Sequence, residues 1–501
     1  MDQVRPDKPK QCTWQPNAKD TPHTKRTLHV DRNKILPNIL EAIGETPMVR
    51  LNKIPKLHGI KCEIVAKCEF MNPAGSMKDR VAYRMVQDAE EKGLLKPGDT
   101  VIEPTSGNTG VGLAMVTAVK GYNCVTVMPQ WMSNEKQYTM QALGAKVVRT
   151  PASGMPDNPE GPFMISAKLL QQTKNSVILN QYSNPSNSLA HYDTTAEEIW
   201  QQTGGKIDYF VAGSGTGGTL TGIARKLREL SPQTKIIAVD PLGSQMANPP
   251  ELNKTSVNFW ETEGIGHAYI PSNMDRDVVD QWVKSNDRDS FLLARSLIRD
   301  EGLLVGGSCG AVLYAALQIA KDLPEDKRVV ILLHDGIRNY LTKFVSDYWM
   351  ESRGYLDSPE PMENNLWWWN LTIRNLHSNK THIITEETTC EDVIKMFQEL
   401  KFHHMTIMNE NQEIVGFVTE NLLFSNFILG KVQKTERIDK IMIKEFRKVH
   451  LKTTLGKLSR FFEHENYVVV VNENKNDKLV GVLTPIDLLN FINNSKNGVT
   501  S

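Results

Sequence analysis

Six cysteines in 501 residues, at no regular spacing, cannot supply a disulfide framework. They read as reduced thiols, and the chain is expected to be cytoplasmic. No run of 18 or more apolar residues occurs, which excludes a transmembrane helix. The first 30 residues hold no apolar h-region, so no secretory signal is expected, and Asp2, Asp7 and Asp20 argue against a mitochondrial presequence. Net charge is also absent: 58 Lys and Arg face 58 Asp and Glu. No overall field draws the chain to nucleic acid or to an anionic membrane. What is present is 40% apolar and 23% charged residues, the composition of a globular protein. The length implies two to four domains.

Four regions separate. Residues 1–34 are polar, broken by Pro6, Pro9, Pro16 and Pro22, and lack periodicity. Cys12, Trp14 and His23 are odd choices for such a solvated arm. Residues 35–350 alternate short apolar runs with helical patterns. Cys62–Cys68, Thr100–Glu103, Cys124–Met128, Lys146–Arg149, Tyr209–Ala212, Ile236–Asp240 and Val329–Leu333 read as strands. Met77–Lys92, Gly110–Lys120, Glu135–Leu143, Gly218–Glu229 and Ala311–Ile319 read as helices. This order predicts an α/β fold with mostly parallel sheets, whose ligands bind at the C-terminal ends of the strands. Residues 351–370 form a linker ending in Trp367-Trp368-Trp369, expected to be a docking patch between two domains. Residues 371–497 contain a repeat, about 371–430 and 436–497: Val415-Gly416-Phe417-Val418-Thr419 returns as Val480-Gly481-Val482-Leu483-Thr484, each copy followed by an apolar helix.

Four loops between strand and helix can carry chemistry. In Asn72-Pro73-Ala74-Gly75-Ser76-Met77-Lys78, the lysine falls in the first turn of a helix. Positive backbone N–H groups there lower an amine's pKa and favour a nucleophile. Taken alone, the loop also suits an exposed helix-start lysine. Thr105-Ser106-Gly107-Asn108-Thr109-Gly110 offers hydroxyls and backbone N–H groups to an anion such as a carboxylate, or is an ordinary capped turn. Ser214-Gly215-Thr216-Gly217-Gly218-Thr219 lets backbone approach a phosphate. A dinucleotide reading would use Asp240 for a ribose, but Pro241 follows it and the glycine spacing is wrong. The fourth loop is Gly306-Gly307-Ser308-Cys309-Gly310.

Together, in this order over about 300 residues, these loops resemble the β-family (fold type II) of pyridoxal-phosphate enzymes. Cys12-Thr13-Trp14-Gln15, the tryptophan triplet and the tandem repeat narrow the resemblance to the haem-containing animal branch, from about Cys12 to Asn493. The resemblance implies a three-layer α/β/α catalytic domain, similar to the tryptophan synthase β subunit, followed by a tandem α/β regulatory (Bateman) module. It makes Lys78 the Schiff-base lysine, general base and general acid. It places Asn108 at the cofactor's ring oxygen, Gly215, Thr216, Gly217, Gly218 and Thr219 around its phosphate, and Ser308 at its pyridine nitrogen. A hydroxyl in that place does not hold the ring protonated, which suits elimination at the β-carbon. Thr105, Ser106, Thr109 and Gln181 match the substrate-carboxylate site, with Tyr182 beside it. Glu263-Gly264-Ile265-Gly266 matches the second-substrate side, where His267 stands in place of the family's tyrosine.

The implied reaction is a β-replacement that condenses L-serine with L-homocysteine to L-cystathionine and water. A rival within the family uses O-acetylserine and sulfide. A non-enzymatic rival, a nucleotide-sensing scaffold, is opposed by the intact loops. The resemblance also implies haem b on Cys12 and His23, with His29 as fallback ligand and Arg225 pairing the thiolate. Ser231-Pro232-Gln233-Thr234 replaces the family's Cys-x-x-Cys pair, which excludes redox control through it. Thr484 and Asp487 match a nucleotide site, although a helix cap explains Asp487 as well. Leu422 fills the equivalent position of the first copy, and His403-His404 replace an acid-amide pair. S-adenosylmethionine is therefore expected not to activate the protein. The module is expected to stabilise a homodimer or higher homo-oligomer, without nucleic-acid or membrane partners.

Overall fold

A computed structural model describes residues 24–28, 33–105, 107–150, 156–255, 257, 259–356, 366–376, 382–400, 404–411, 413–428, 432–443, 448–462, 467–472 and 478–494. The chain divides into two compact units, Met1–Leu356 and Asp357–Ser501. In the first, the alternating pattern becomes two sheets. The larger runs in the order Met48–Arg50, Glu63–Cys68, Arg328–Leu333, Tyr209–Gly213, Lys235–Pro241, Gln281–Ser285. All its neighbours pair in parallel except the short edge strand Met48–Arg50, which is antiparallel. The smaller sheet, Lys146–Thr150, Asn123–Pro129, Thr100–Pro104, Ser176–Ile178, is parallel throughout.

Both faces of the larger sheet are covered, so its inner strands carry near-continuous apolar runs, residues 210–212, 236–239 and 329–333. Val211, Ile237, Val329 and Ile331 meet the buried helix Gly307–Ala320, while Phe210, Ile236, Val330 and Leu332 meet the helix Gly218–Leu230. Helices Lys78–Glu91 and Asn108–Lys120 pack on each other in a further core with Val101, Cys124 and Met128 of the smaller sheet. These layers match the three-layer α/β/α expectation. The loops carrying Lys78, Thr105, Asn108 and Thr216 open into one cavity at the C-terminal ends of strands from both sheets.

The second unit holds two three-stranded sheets, one per repeat. In each, the first pair is parallel and the second antiparallel, with a register shift at the same place: Ile407/Met408 and Val470/Val471. Phe417 of the first copy stacks on Tyr467 of the second at 4.0 Å between ring centroids. The tryptophan run packs against the second copy. The Trp367 ring meets Phe491 at 5.8 Å, and Trp369 lies where a Cβ on Gly456 would come within 2.4 Å. Among the described residues no helix is long and apolar enough to cross a membrane.

Candidate active site

Lys78 begins its helix behind the turn Asn72–Met77, as the pattern of Pro73 and Gly75 predicts. Hydrogen bonds hold the turn, among them Ala74 N donating to the Asp79 carboxylate at 2.6 Å and Lys78 N to Ser76 Oγ at 3.1 Å. The side chain is buried, 8% exposed, and its Nζ donates to Thr216 Oγ1 at 3.2 Å, across 138 residues of sequence. Burial pushes the amine's pKa from 10.5 down to about 8. The charged amine thus opposes folding below about pH 8, and this cost fades as pH rises toward 10.5. Only the neutral amine attacks an aldehyde. Uptake of an aldehyde cofactor by the apo-protein is therefore expected to quicken with pH and level off above about 8. Rates still climbing through 10.5 in a stopped-flow absorbance series would contradict this.

The phosphate-type loop follows the strand Tyr209–Gly213 and opens the helix Gly218–Leu230. Gly217 has φ +86°, and a Cβ on it would lie 2.5 Å from Met274. A Cβ on Gly218 would lie 2.2 Å from Asn187 Oδ1. Only glycine fits here, leaving the first N–H groups of the helix bare for an anion. Asn187 Nδ2 donates to Thr216 Oγ1 at 2.8 Å, and Thr219 Oγ1 shares a 3.0 Å hydrogen bond with His191 Nε2.

Asn108 is clamped at both ends of its amide. Its Nδ2 donates to Asp335 Oδ2 at 2.7 Å, and its Oδ1 accepts from Asn339 Nδ2 at 3.0 Å. Ser308 Oγ lies 3.3 Å from His334 Nδ1. On the other wall, buried Glu103 accepts from the backbone N–H groups of Asn180 and Gln181 at 2.9 and 2.8 Å. That fixes Gln181, whose Oε1 accepts from Thr109 Oγ1 at 2.5 Å. His267 stacks on Tyr269 at 5.2 Å and meets the edge of Tyr182 at 5.5 Å. Burial, with the Lys78 charge second, pushes its pKa down to about 4, so this ring is neutral near pH 7. Glu263 is buried between Lys136 and Lys343, whose charges hold its carboxyl below the usual range against the cost of burial.

Lys78, Thr105, Asn108, Thr109, Gln181, Tyr182, Thr216, Gly264, Gly266 and Ser308 line one cavity of about 370 Å³. Ser106, Cys12, His23 and His29 lie outside the described residues. Arg225 sits on the helix behind the phosphate-type loop and donates from Nε and Nη2 to Asp275 Oδ2 at 3.1 and 2.7 Å. In the second repeat, Thr484 donates to Asp487 Oδ2 from both N and Oγ1. Thr389 and Asp392 form a similar hydroxyl–carboxylate pair at the start of Cys390–Leu400. His334, Asn187 and Asp335 lie outside the four loops legible in the sequence, whereas Glu103 closes the strand run Thr100–Glu103 that opens the second of them. His334 and Asp335 directly follow the strand Arg328–Leu333, so the strand-end rule that located the other loops would have found them.

The residues fit pyridoxal phosphate: a buried amine of lowered pKa for the aldehyde, and a glycine loop at a helix N-terminus beside it for the phosphate. Comparison with known proteins agrees. Residues 39–335 match the family of pyridoxal-phosphate dependent enzymes, and residues 373–426 and 438–494 each match the CBS domain. The chain is 53% identical to a cystathionine beta-synthase of Apis mellifera, covering 100% of this chain and 99% of that protein. It is 47% identical to the one of Mus musculus, covering 98% and 91%. Among solved structures, a hydrogen sulfide-producing enzyme from Fusobacterium nucleatum is 37% identical, with a TM-score of 0.57 over 61% of this chain and 100% of its own. O-ureido-L-serine synthase is 35% identical, with a TM-score of 0.58 over 67% and 99%. The chain belongs to the pyridoxal-phosphate dependent enzymes and, within them, to the cystathionine beta-synthases.

Proposed function

We propose that this chain condenses L-serine with L-homocysteine to L-cystathionine and water, as a hydro-lyase at the first step of transsulfuration to cysteine. The observation that carries this is the buried Lys78 amine beside Thr216, in one cavity with Thr105, Asn108, Thr109, Gln181 and Ser308. Pyridoxal phosphate, when bound, supplies an electron sink for charge at the substrate's Cα. Gly215 to Thr219 hold its phosphate, Asn108 its ring oxygen and Ser308 its ring nitrogen. Thr105, Ser106, Thr109 and Gln181 hold the serine carboxylate. Lys78 removes the Cα proton and passes it to the departing β-hydroxyl, which leaves as water; the homocysteine thiol gives its proton to Lys78 and its thiolate attacks Cβ; Lys78 then returns that proton to Cα. Tyr182 lies beside the carboxylate site, and Gly264 and Gly266 line the side the thiol enters, with His267 next to them. Cystathionine formed from serine and homocysteine by the holoenzyme is the expected result. A higher kcat/KM with O-acetylserine and sulfide would favour the cysteine-synthase reading instead. Some hydrogen sulfide from cysteine accompanies the reaction.

The protein is cytoplasmic in this reading and works as a homodimer or larger homo-oligomer, across domains bounded at 1–34, 35–350, 351–370 and 371–497. Cys12 and His23 bind haem b in the arm. Of that set only Arg225 is described, and it pairs with Asp275. Protein purified after growth with haem precursor is expected to show a Soret band that shifts in Cys12→Ala. An unshifted band removes Cys12 as a ligand, and no band removes the haem. Thr484 and Asp487 form the nucleotide site, and S-adenosylmethionine leaves activity unchanged. Several-fold activation by that compound would overturn the second half of this reading.

A further inference from the structure

His334 lines the cavity with Lys78 and Ser308, yet the reaction above gives it no task. It is 3% exposed. Its Nε2 lies 3.1 Å from the backbone N of Gly213. A backbone N–H only donates, so Nε2 must present a lone pair. Burial, and after it the nearby Lys78 charge, push the ring's pKa down to about 3, so the ring is neutral. A neutral ring that accepts at Nε2 carries its single proton on Nδ1. Nδ1–H then donates to Ser308 Oγ at 3.3 Å. The hydroxyl is an acceptor in that contact, and its own hydrogen must go elsewhere. Among the described residues no other hydrogen bond holds Ser308 Oγ.

The imidazole cannot easily turn to undo this. Met77 N donates to His334 O at 2.9 Å, tying its backbone to the turn before Lys78. Strand Tyr209–Gly213 lies so close that a Cβ on Gly213 would come within 2.7 Å of His334 Cε1.

We infer that His334 is a positioning residue: through the chain Gly213 N–H to His334 to Ser308, it aims the Ser308 hydroxyl hydrogen into the cavity as a donor to the cofactor's ring nitrogen. This rests on the reading that Ser308 faces that nitrogen. The consequence is directional. A freely rotating serine hydroxyl can accept from a protonated ring nitrogen as well as donate to a bare one. With the His334 N–H occupying it as acceptor, the hydroxyl favours the bare nitrogen, keeping the electron sink weak.

The test uses holoenzyme loaded with cofactor labelled with nitrogen-15 in the ring, and reads the ring-nitrogen resonance. Ser308→Ala is expected to displace it. His334→Phe should displace it in the same direction by most of that amount. His334→Asn, whose amide N–H overlies Nδ1, should return it close to wild type. His334→Gln, whose amide nitrogen overlies Nε2, should not. An unmoved resonance in Ser308→Ala sinks the Ser308 reading and the inference with it. A displaced resonance in Ser308→Ala, with His334→Phe and His334→Gln at the wild-type position, overturns His334 alone. Melting temperature and cofactor content identify any variant that fails to fold. If His334→Phe is one, the contrast between Asn and Gln decides, and equal positions for the two overturn the inference.

Discussion

Lys78→Ala is expected to lower cystathionine formation by at least about 10³-fold, since a positioned general base contributes roughly 10²–10⁴-fold and this residue is also the cofactor's anchor. The fold should survive. The amine makes a single hydrogen bond, to Thr216, and burying it is unfavourable enough to lower its pKa to about 8. Alanine removes that buried amine and a small part of the apolar stem. The circular dichroism spectrum and melting temperature should therefore stay close to wild type, with excess cofactor present during the assay. Turnover within tenfold of wild type would remove Lys78 from the chemistry.

Arg80→Ala should produce the largest loss of stability. Two residues beyond Lys78, Arg80 is completely buried and forks onto Glu69, with Nε and Nη2 each 2.8 Å from a carboxylate oxygen. Its Nη1 also reaches Glu198, which Lys67 holds from the other side at 2.6 Å. Removing the guanidinium strands the Glu69 carboxylate in the interior, at about 3–5 kcal/mol. A fall in melting temperature of roughly 4–7 °C is expected, read by calorimetry. Arg80→Lys should fall in between, because an ammonium keeps the charge and loses the two-pronged geometry. Arg80 is the main influence holding the Glu69 pKa down to about 2. The pair therefore stabilises the wild type fully above about pH 4.5 and less as pH falls toward 2. A change below 1 °C in Arg80→Ala would mean that the network contributes little.

Most strands and the four loops are legible because each is a local pattern: an apolar run, then small residues, then helical spacing; the strands Ser176–Ile178 and Gln281–Ser285, short or interrupted by polar residues, carry no such run. The repeat was visible for the same reason, down to the recurring Val-Gly pair in its last strand. What joins the loops was not visible. Lys78 meets Thr216 across 138 residues, and Asn108 meets Asp335 across 227, distances over which no periodicity speaks. The edge strand Met48–Arg50 is three residues long and mostly exposed, too short for alternation to show. His191–Thr195 forms a single π-helical turn inside a helical stretch, which leaves no compositional mark. The tryptophan triplet read as a docking patch, but its contact with Gly456 depends on the fold of the second repeat. His334 leaves no local mark for a different reason: it directly follows the apolar strand Arg328–Leu333, with no small-residue loop to set it apart.

The central claim is that Lys78 holds the cofactor and does the proton transfer. Borohydride reduction of the holoenzyme, followed by peptide mapping by mass spectrometry, tests it most directly. The account predicts a phosphopyridoxyl adduct on the peptide containing Lys78, at one per chain, and none in Lys78→Ala. An adduct on another lysine with Lys78 unmodified would contradict it.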